Sequence, residues 1–301
     1  MKILVTGRNG QVARSLGEQA IGQDGVEVFF AGRPELDLAD TSGVARIVDA
    51  SEADIVVSAA AFTAVDRAED EPELAHAVNA LGAGAIARAA AQRGIPVIHL
   101  STDYVFSGQS DVPYTERDRP DPVSTYGRTK LEGERLVAAA NPRHLILRTS
   151  WVYSPFGTNF VRTMLRLAAE RDEIAVVADQ WGNPTSAFDV AEGVLRAARR
   201  LVDDLSGDTS GTFHLAGEGA VNWSGFAEEI FAASRALGGP GARVRPVPSH
   251  EYPTRAVRPR NSRLASDRLE AILGWRPPRW QDSVKACVAR ILDETETGSP
   301  A

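Results

Sequence analysis

Short apolar runs rich in Val and Ile punctuate the first half of the chain at residues 3–5, 26–31, 55–60, 96–100 and 145–147, and each is followed by a longer segment with a helical pattern. A strand covered on both faces reads as an unbroken apolar run, and alternation of such runs with helices is how a parallel sheet is built. The pattern predicts an α/β fold with a doubly wound parallel sheet. After Trp151 the alternation loosens, with helices expected near 160–170, 190–205 and 223–237 and strand-like pieces at 174–177 and 212–216. The 238–263 stretch, dense in Pro, Gly and Arg, reads as a loop-built lobe, and long ordered loops in compact domains are usually functional. Residues 295–301 read as a frayed tail.

Composition narrows the classes. With 301 residues, 43% of them hydrophobic and 24% charged, the chain can bury a large core without disulfides or structural metal. Its 40 acidic residues exceed the 33 basic ones, for a net charge of -7, and no basic stripe is interleaved with aromatics, so nucleic acid is not an expected partner. Cys287 is the one cysteine, which rules out an intrachain disulfide and suits a reducing compartment. Met1 runs straight into Lys2 and an apolar strand, leaving no room for a secretory signal, and no window of about 18 residues escapes charge. These features predict a cytoplasmic protein without a membrane partner. His76, His99, His144, His214 and His250 lack ligand spacing, and Cys287 lies in a late apolar stretch at 284–292. Neither a metal centre nor a thiol nucleophile is expected.

Directly after the first predicted strand stands Gly7-Arg8-Asn9-Gly10-Gln11-Val12-Ala13, with Leu16 continuing a helical pattern. Glycines there permit a tight turn and let the N–H groups of a helix start approach a pyrophosphate. Two glycines three apart also occur in ordinary strand–helix turns, and Ala13 stands where a third glycine is often found. The end of the second strand should meet the adenosine ribose, where an acidic residue favours NAD and a basic one accepts a 2′-phosphate. The chain reads Phe29-Phe30-Ala31-Gly32-Arg33, with no carboxylate before Glu35. Arg33 therefore favours NADPH, with NADH as the alternative if Arg33 is only a solvated loop residue. Asp37 and Leu38, in the next turn, are placed for an adenine contact.

Tyr126-Gly127-Arg128-Thr129-Lys130 opens a helical segment and puts the tyrosine and lysine one turn apart on one face. Such a lysine can hold a cofactor ribose and lower the tyrosine pKa from about 10, so that the phenol exchanges a proton nearer neutrality. Random placement of 5 tyrosines against Lys2, Lys130 and Lys285 gives this spacing with a probability of about 0.05, so the motif informs without sufficing. Ser101-Thr102-Asp103-Tyr104-Val105-Phe106 supplies the rest, because open parallel sheets deliver ligand contacts at their strand ends. Thr102 can bond a carbonyl oxygen that Tyr126 protonates. Taken singly, Thr102 closes a strand and Tyr126 begins a helix; together with the glycine turn they favour the chemical reading.

With these motifs the chain resembles the extended short-chain dehydrogenase/reductase family over nearly its whole length. The resemblance is carried by Gly7-x-x-Gly10-Gln11-Val12, the Ala59 to Glu69 segment, Val78-Asn79-Ala80, Ser101 to Phe106, Tyr126-x-x-x-Lys130, Arg148 to Tyr153, Asp179-Gln180-x-Gly182-x-Pro184-Thr185 and Arg258-Pro259-x-Asn261-Ser262-x-Leu264. It implies a Rossmann-like NAD(P)-binding domain over 1–150, joined by helix and strand contributions from about 187–216, with the remaining parts of 151–301 as a smaller substrate-binding lobe. It further implies hydride transfer from a nicotinamide to the C4 ketone of a dTDP-linked 4-keto-6-deoxy sugar, with Tyr126 donating the proton, Lys130 tuning it and Thr102 completing the catalytic set. Gly7, Gly10, Gln11, Val12, Arg33, Asp37, Leu38, Ala61, Phe62 and Thr63, with Tyr126 and Lys130, would line the cofactor. Thr102, Asp103, Trp151, Asn159 and Arg258 would meet the substrate, Arg258 at the diphosphate.

The chain departs from its relatives at Ser58, where they often carry Asn. Some members of the family bind magnesium through glutamates at a dimer interface, but Ser15 and Phe188 stand at the matching positions. The expectation is no metal and a monomer or weak homodimer. Dehydratases of this type use an Asp-Glu pair after the threonine, whereas Asp103 is followed by Tyr104. An epimerase would retain and regenerate its cofactor. A non-catalytic binding subunit would need no proton donor, and the complete Thr102, Tyr126, Lys130 set weighs against one.

Overall fold

The computed structural model describes residues 1–204 and 209–296. β1 (Lys2–Thr6) turns into α1 (Gln11–Ala20), β2 (Glu27–Ala31) is followed by α2 (Val44–Ala50), and β3 (Ile55–Ser58) by α3 (Val65–Asp70), α4 (Pro72–His76), a π-helical stretch (Ala77–Gly82) and α5 (Ala83–Gln92). β4 (Val97–Thr102), α6 (Thr125–Ala140) and β5 (His144–Thr149) complete the alternating half. The strands pair in parallel in the order β10-β5-β4-β3-β1-β2, where β10 (Gly211–His214) comes from far along the chain. The apolar runs of β1, β3 and β5 are unbroken because side chains alternate between two covered faces, whereas β2, at the sheet edge, carries Glu27 and an exposed Phe29. Ile3, Val5, Ile55, Val57, Ile98 and Leu145 pack with Val190, Val194 and Leu201 of α8 (Ala187–Asp203), while Leu4, Val56, Val97 and Ile146 pack with Val44, Val48 and Ile86 on the other face.

The second half holds short strands β6 (Val152–Tyr153), β7 (Glu173–Val177), β8 (Trp181–Gly182), β9 (Thr185–Ser186) and β11 (Val221–Asn222), together with α7 (Phe160–Ala168) and α9 (Trp223–Ala236). Its core gathers Tyr153, Val161, Ile174, Val176, Phe226, Phe231, Trp280, Val284 and Val288. The 238–263 stretch is not all loop. β12 (Arg243–Val247) pairs in parallel with β7, register Val244 to Ile174 and Val247 to Val177. Arginines and Pro246 mask this strand in the sequence, and Pro246 is tolerated because a two-stranded sheet has only edges. α10 (Asp267–Leu273) closes on Gly274 at φ 60°, and α11 (Trp280–Glu296) continues past the expected start of the frayed tail. Residues 297–301 of that expected tail, and Leu205 of the expected 190–205 helix, lie outside the described residues. Among the described residues no helix is long and apolar enough to cross a membrane.

One buried ion pair ties three elements of the sheet layer together. Arg148 of β5 donates from Nε and Nη2 to Glu134 of α6 at 2.9 and 2.7 Å, and Ser101 of β4 donates to the same carboxylate at 2.5 Å. Both side chains are 5% exposed. A charge left alone there would face its full desolvation penalty, so Glu134→Gln or Arg148→Met should each lower unfolding free energy by about 3–5 kcal/mol in urea titration. The double replacement Glu134→Met with Arg148→Leu should recover most of that loss. A single variant within about 0.5 kcal/mol of the parent would refute this.

Candidate active site

The chain goes from β1 outward to β2 and then crosses back to β3, so the carboxyl ends of β1 and β3 form the point where winding reverses and where open α/β sheets bind ligands. Thr6 Oγ1 accepts from the N–H groups of Ala59 and Ala60 at 3.1 and 3.2 Å, which lifts the chain out of β3 at Ser58 and not at the expected residue 60. Gly7 turns at φ 91°, a region that strains any side-chain-bearing residue. Gly10 is the N-cap of α1, has open space around it and gives the helix no side-chain cap. The first N–H groups of α1 are thus left for an anion. Gln11 Oε1 accepts from Ser154 Oγ at 2.8 Å and from Asn159 Nδ2 at 3.0 Å, linking α1 to the start of α7. Asn159 Oδ1 caps α7 on Arg162 N, so both ends of that amide are spent within the protein.

The 61–63 loop is held from behind by Asn79, buried in the π-helical stretch. Its amide accepts from Phe62 N at 2.8 Å and donates to Phe62 O and to Thr129 Oγ1 of α6, each at 3.1 Å. The start of α6 is fixed from two sides. Ser124 accepts from Gly127 N at 3.1 Å, and Glu69 accepts from Thr125 N and Oγ1 at 2.7 and 2.5 Å. A Cβ on Gly127 would lie 2.1 Å from Tyr104 O, so only glycine lets α6 approach the end of β4 this closely.

That approach brings Thr102, Asp103, Tyr126 and Lys130 together around a cleft of about 610 Å³. Thr102 Oγ1 donates to Asp103 Oδ1 at 2.9 Å and accepts from Tyr104 N at 3.2 Å. Burial pushes the Asp103 carboxyl up to about 6, against hydrogen bonds from Ser262 and Thr102 that favour its charge. Burial likewise raises the Tyr126 phenol above its ordinary value, with Thr102 pulling the other way. This differs from the expected lowering by Lys130, because the Lys130 ammonium points instead to Leu100 O at 2.6 Å and His99 Nε2 at 3.2 Å. Burial brings Lys130 down to about 8.

The far wall is aromatic. Trp151, at φ 47°, stacks on Trp223 with ring centroids 3.5 Å apart and planes within 8°. Arg258 reaches in from the 238–263 stretch, donating to Asp66 at 2.7 Å and to Tyr104 OH at 3.1 Å. Of the residues singled out in the sequence, Gln11, Val12, Ala61, Thr63, Thr102, Asp103, Tyr126, Lys130, Trp151, Asn159 and Arg258 line the cleft. Phe62 points aside beneath Arg67, while Gly7, Gly10, Arg33, Asp37 and Leu38 lie along the edge formed by the ends of β1 and β2. Arg33 and Asp37 are exposed there, and Leu38 is buried against Gly82.

Sequence reasoning missed Trp223, which was read only as a helix start, and Asn79, whose segment was quoted without a role. Nor does the sequence distinguish His99 from the other histidines without ligand spacing, or Arg8, which sits beside Gly32 and pairs with Glu35 at 3.4 Å, from the rest of the glycine turn. Cys287 is buried with its thiol pushed up to about 12, in keeping with a packing role. Ser15 is fully buried, and Phe188 packs against Phe156 in a cluster capped by Arg290. Among the described residues no group of three or more His, Cys, Asp or Glu side chains is arranged to hold a metal ion.

Residues 1–292 match the model of the RmlD substrate binding domain family. The dTDP-4-dehydrorhamnose reductase of Sinorhizobium fredii is 52% identical, over 98% of this chain and 99% of its own. A dTDP-4-dehydrorhamnose reductase structure from Clostridium acetobutylicum superposes with a TM-score of 0.90 at 39% identity, over 97% of this chain and 100% of that one. The Bacillus anthracis reductase, solved in complex with NADP, gives 0.89 at 32% identity over 96% and 99%. With a Rossmann-like parallel sheet, a cleft at its switch point and these matches along almost its entire length, the chain belongs to the RmlD substrate binding domain family.

Proposed function

We propose that the chain catalyses the NADPH-dependent reduction of the C4 ketone of dTDP-4-dehydro-L-rhamnose (dTDP-6-deoxy-L-lyxo-4-hexulose) to dTDP-L-rhamnose. The observation that carries this reading is the meeting of Thr102, Tyr126 and Lys130 at the switch point of the sheet, in a cleft faced by Trp151, in a chain of this family. The uncapped start of α1 and the open space at Gly10 fit a dinucleotide diphosphate. Gly7, Gly10, Gln11 and Val12 would hold it, Ala61, Thr63 and the backbone of Phe62 would flank it, and Asp37 and Leu38 would lie on the adenine side. Arg33 accepts the 2′-phosphate. Residues 1–150 with the 187–216 contributions make the cofactor-binding part, and the remainder of 151–301 binds the sugar nucleotide.

A nicotinamide held in the cleft would supply the hydride for the carbonyl carbon. Tyr126 gives its proton to the carbonyl oxygen, and burial serves that role by keeping the phenol protonated at rest. A developing alkoxide is a stronger base than any phenolate, so a raised phenol pKa does not prevent the transfer. Thr102 turns its hydroxyl to the same oxygen, and Asp103 accepts from a sugar hydroxyl. Lys130 holds the cofactor ribose with its ammonium. Trp151 packs over the sugar, Arg258 reaches the diphosphate, and Asn159 borders the sugar while fixing Gln11. We read the protein as cytoplasmic and metal-free, a monomer or weak homodimer with neither nucleic acid nor membrane as partner, since Ser15 and Phe188 supply no carboxylates at the positions that resemble a magnesium site.

Purified protein given NADPH and this 4-keto sugar should consume nicotinamide absorbance and form dTDP-L-rhamnose, unaffected by a chelator. Tyr126→Phe should lower kcat about 10²- to 10⁴-fold while leaving NADPH affinity within a few-fold; oxidation persisting in that variant would sink the proton-donor assignment. The Lys130 cation is complete well below pH 8 and lost as pH rises through about 8. The kcat/KM profile of reduction should therefore fall on its alkaline side through that pH, and a profile flat to pH 10 would contradict the role of Lys130. Arg33→Ser should reduce the preference for NADPH over NADH by about tenfold in kcat/KM, through loss of a charge-assisted phosphate contact. An unchanged ratio would mean that Arg33 is only solvated.

A further inference from the structure

Behind Lys130 lies a hydrogen-bonded row that the reaction steps above leave unused. Ser58 at the end of β3, His99 in β4 and Lys130 of α6 are 1%, 0% and 2% exposed. His99 Nδ1 is 3.1 Å from Ser58 Oγ, and His99 Nε2 is 3.2 Å from Lys130 Nζ. An ammonium carries only donors, so the nitrogen facing it must offer a lone pair. The ring proton is then on Nδ1 and is donated to Ser58 Oγ. Burial and the neighbouring Lys130 charge both hold the ring neutral, well below its ordinary pKa.

We propose that His99, held from behind by Ser58 and presenting its Nε2 lone pair, is a positioning residue that fixes the Lys130 ammonium in the cofactor cleft. The proposal rests on reading Lys130 as the residue that holds the cofactor ribose. Lys130 is otherwise anchored through Leu100 O, and two acceptors at its rear set the direction of the remaining N–H toward the cleft. The ionisable groups around it are few. Glu134, one turn along α6, supports the cation but is spent on Arg148 of β5 and Ser101 of β4. Tyr126 lies one turn back on α6, Asp103 follows β4 on the substrate side, and His99 is the group behind. The row ends at buried Ser58, so it sets position and does not conduct protons to solvent. Ser58, where relatives often carry Asn, is in the fold the group that receives the His99 Nδ1–H, while the Lys130 ammonium at Nε2 sets the tautomer.

The lysines are Lys2, Lys130 and Lys285, so ¹³Cε-lysine labelling gives three signals, and Lys130→Arg identifies the one of interest. In the parent protein without cofactor or sugar, the Lys130 signal should titrate near pH 8, and long-range ¹H–¹⁵N spectra should show His99 protonated at Nδ1 and bare at Nε2. His99→Phe should move the Lys130 midpoint to lower pH by about 1 unit, with the alkaline limb of kcat/KM following it. His99→Gln, whose amide oxygen can accept from the ammonium, should restore most of the difference, and Ser58→Ala should fall between. A proton on Nε2 in the parent overturns the proposal even if His99→Phe fails to fold. So does an unmoved midpoint in folded His99→Phe, or a His99→Gln midpoint as low as that of His99→Phe. The titrations need no turnover, so a protein that reduces no nucleotide sugar would refute the proposed reaction and leave this inference standing, and the reverse holds equally.

Discussion

Helix α6 has to bury an ammonium and a carboxylate one turn apart, and most of the architecture around the cleft follows from satisfying them. Lys130 is met by Leu100 O and His99, Glu134 by Arg148 and Ser101, so β4 and β5 each contribute acceptors or donors at fixed heights. A helix held at two charged points cannot rotate or slide without stranding one of them. That constraint delivers Tyr126, which lies on the turn before Lys130, to the end of β4 beside Thr102. Gly127 makes the required closeness sterically feasible, and Ser124 with Glu69 satisfies the helix start that the approach would otherwise leave bare.

Electrostatically, the cleft works by exclusion of water more than by pairing of charges. Burial raises Asp103 and Tyr126 and lowers Lys130, in each case toward the neutral form. A phenol that retains its proton is suited to giving it up only when an oxyanion forms, which is what reduction of a ketone demands. The direct lysine-to-phenol coupling expected from their spacing is replaced, in the protein by itself, by a lysine tethered to the sheet.

Much of this was legible in the sequence, for physical reasons that differ by element. The parallel sheet could be read because strands buried on both faces carry uninterrupted Val and Ile, and α6 because its tyrosine and lysine sit one turn apart. β12 could not, because arginines and Pro246 occupy positions facing solvent on a two-stranded edge. Trp223 and His99 were hidden for another reason: an aromatic at a helix start and a lone histidine in a strand look the same in sequence whether they pack or support a site. Only the stacking on Trp151 and the 3.2 Å approach to Lys130 distinguish them. Arg33 was singled out by position alone, and the structure shows its side chain exposed two residues past the end of β2.

The return of the chain to the sheet has a consequence for how such a protein can change over evolutionary time. α8 and β10 come after β6, α7 and β7 of the second core, yet α8 covers one face of the sheet and β10 forms its edge. The two parts are therefore interleaved along the polypeptide and cannot be exchanged as cassettes by a single recombination event. Under that constraint, change in the walls of the cleft is open to residue-by-residue substitution in place, not to exchange of a whole segment.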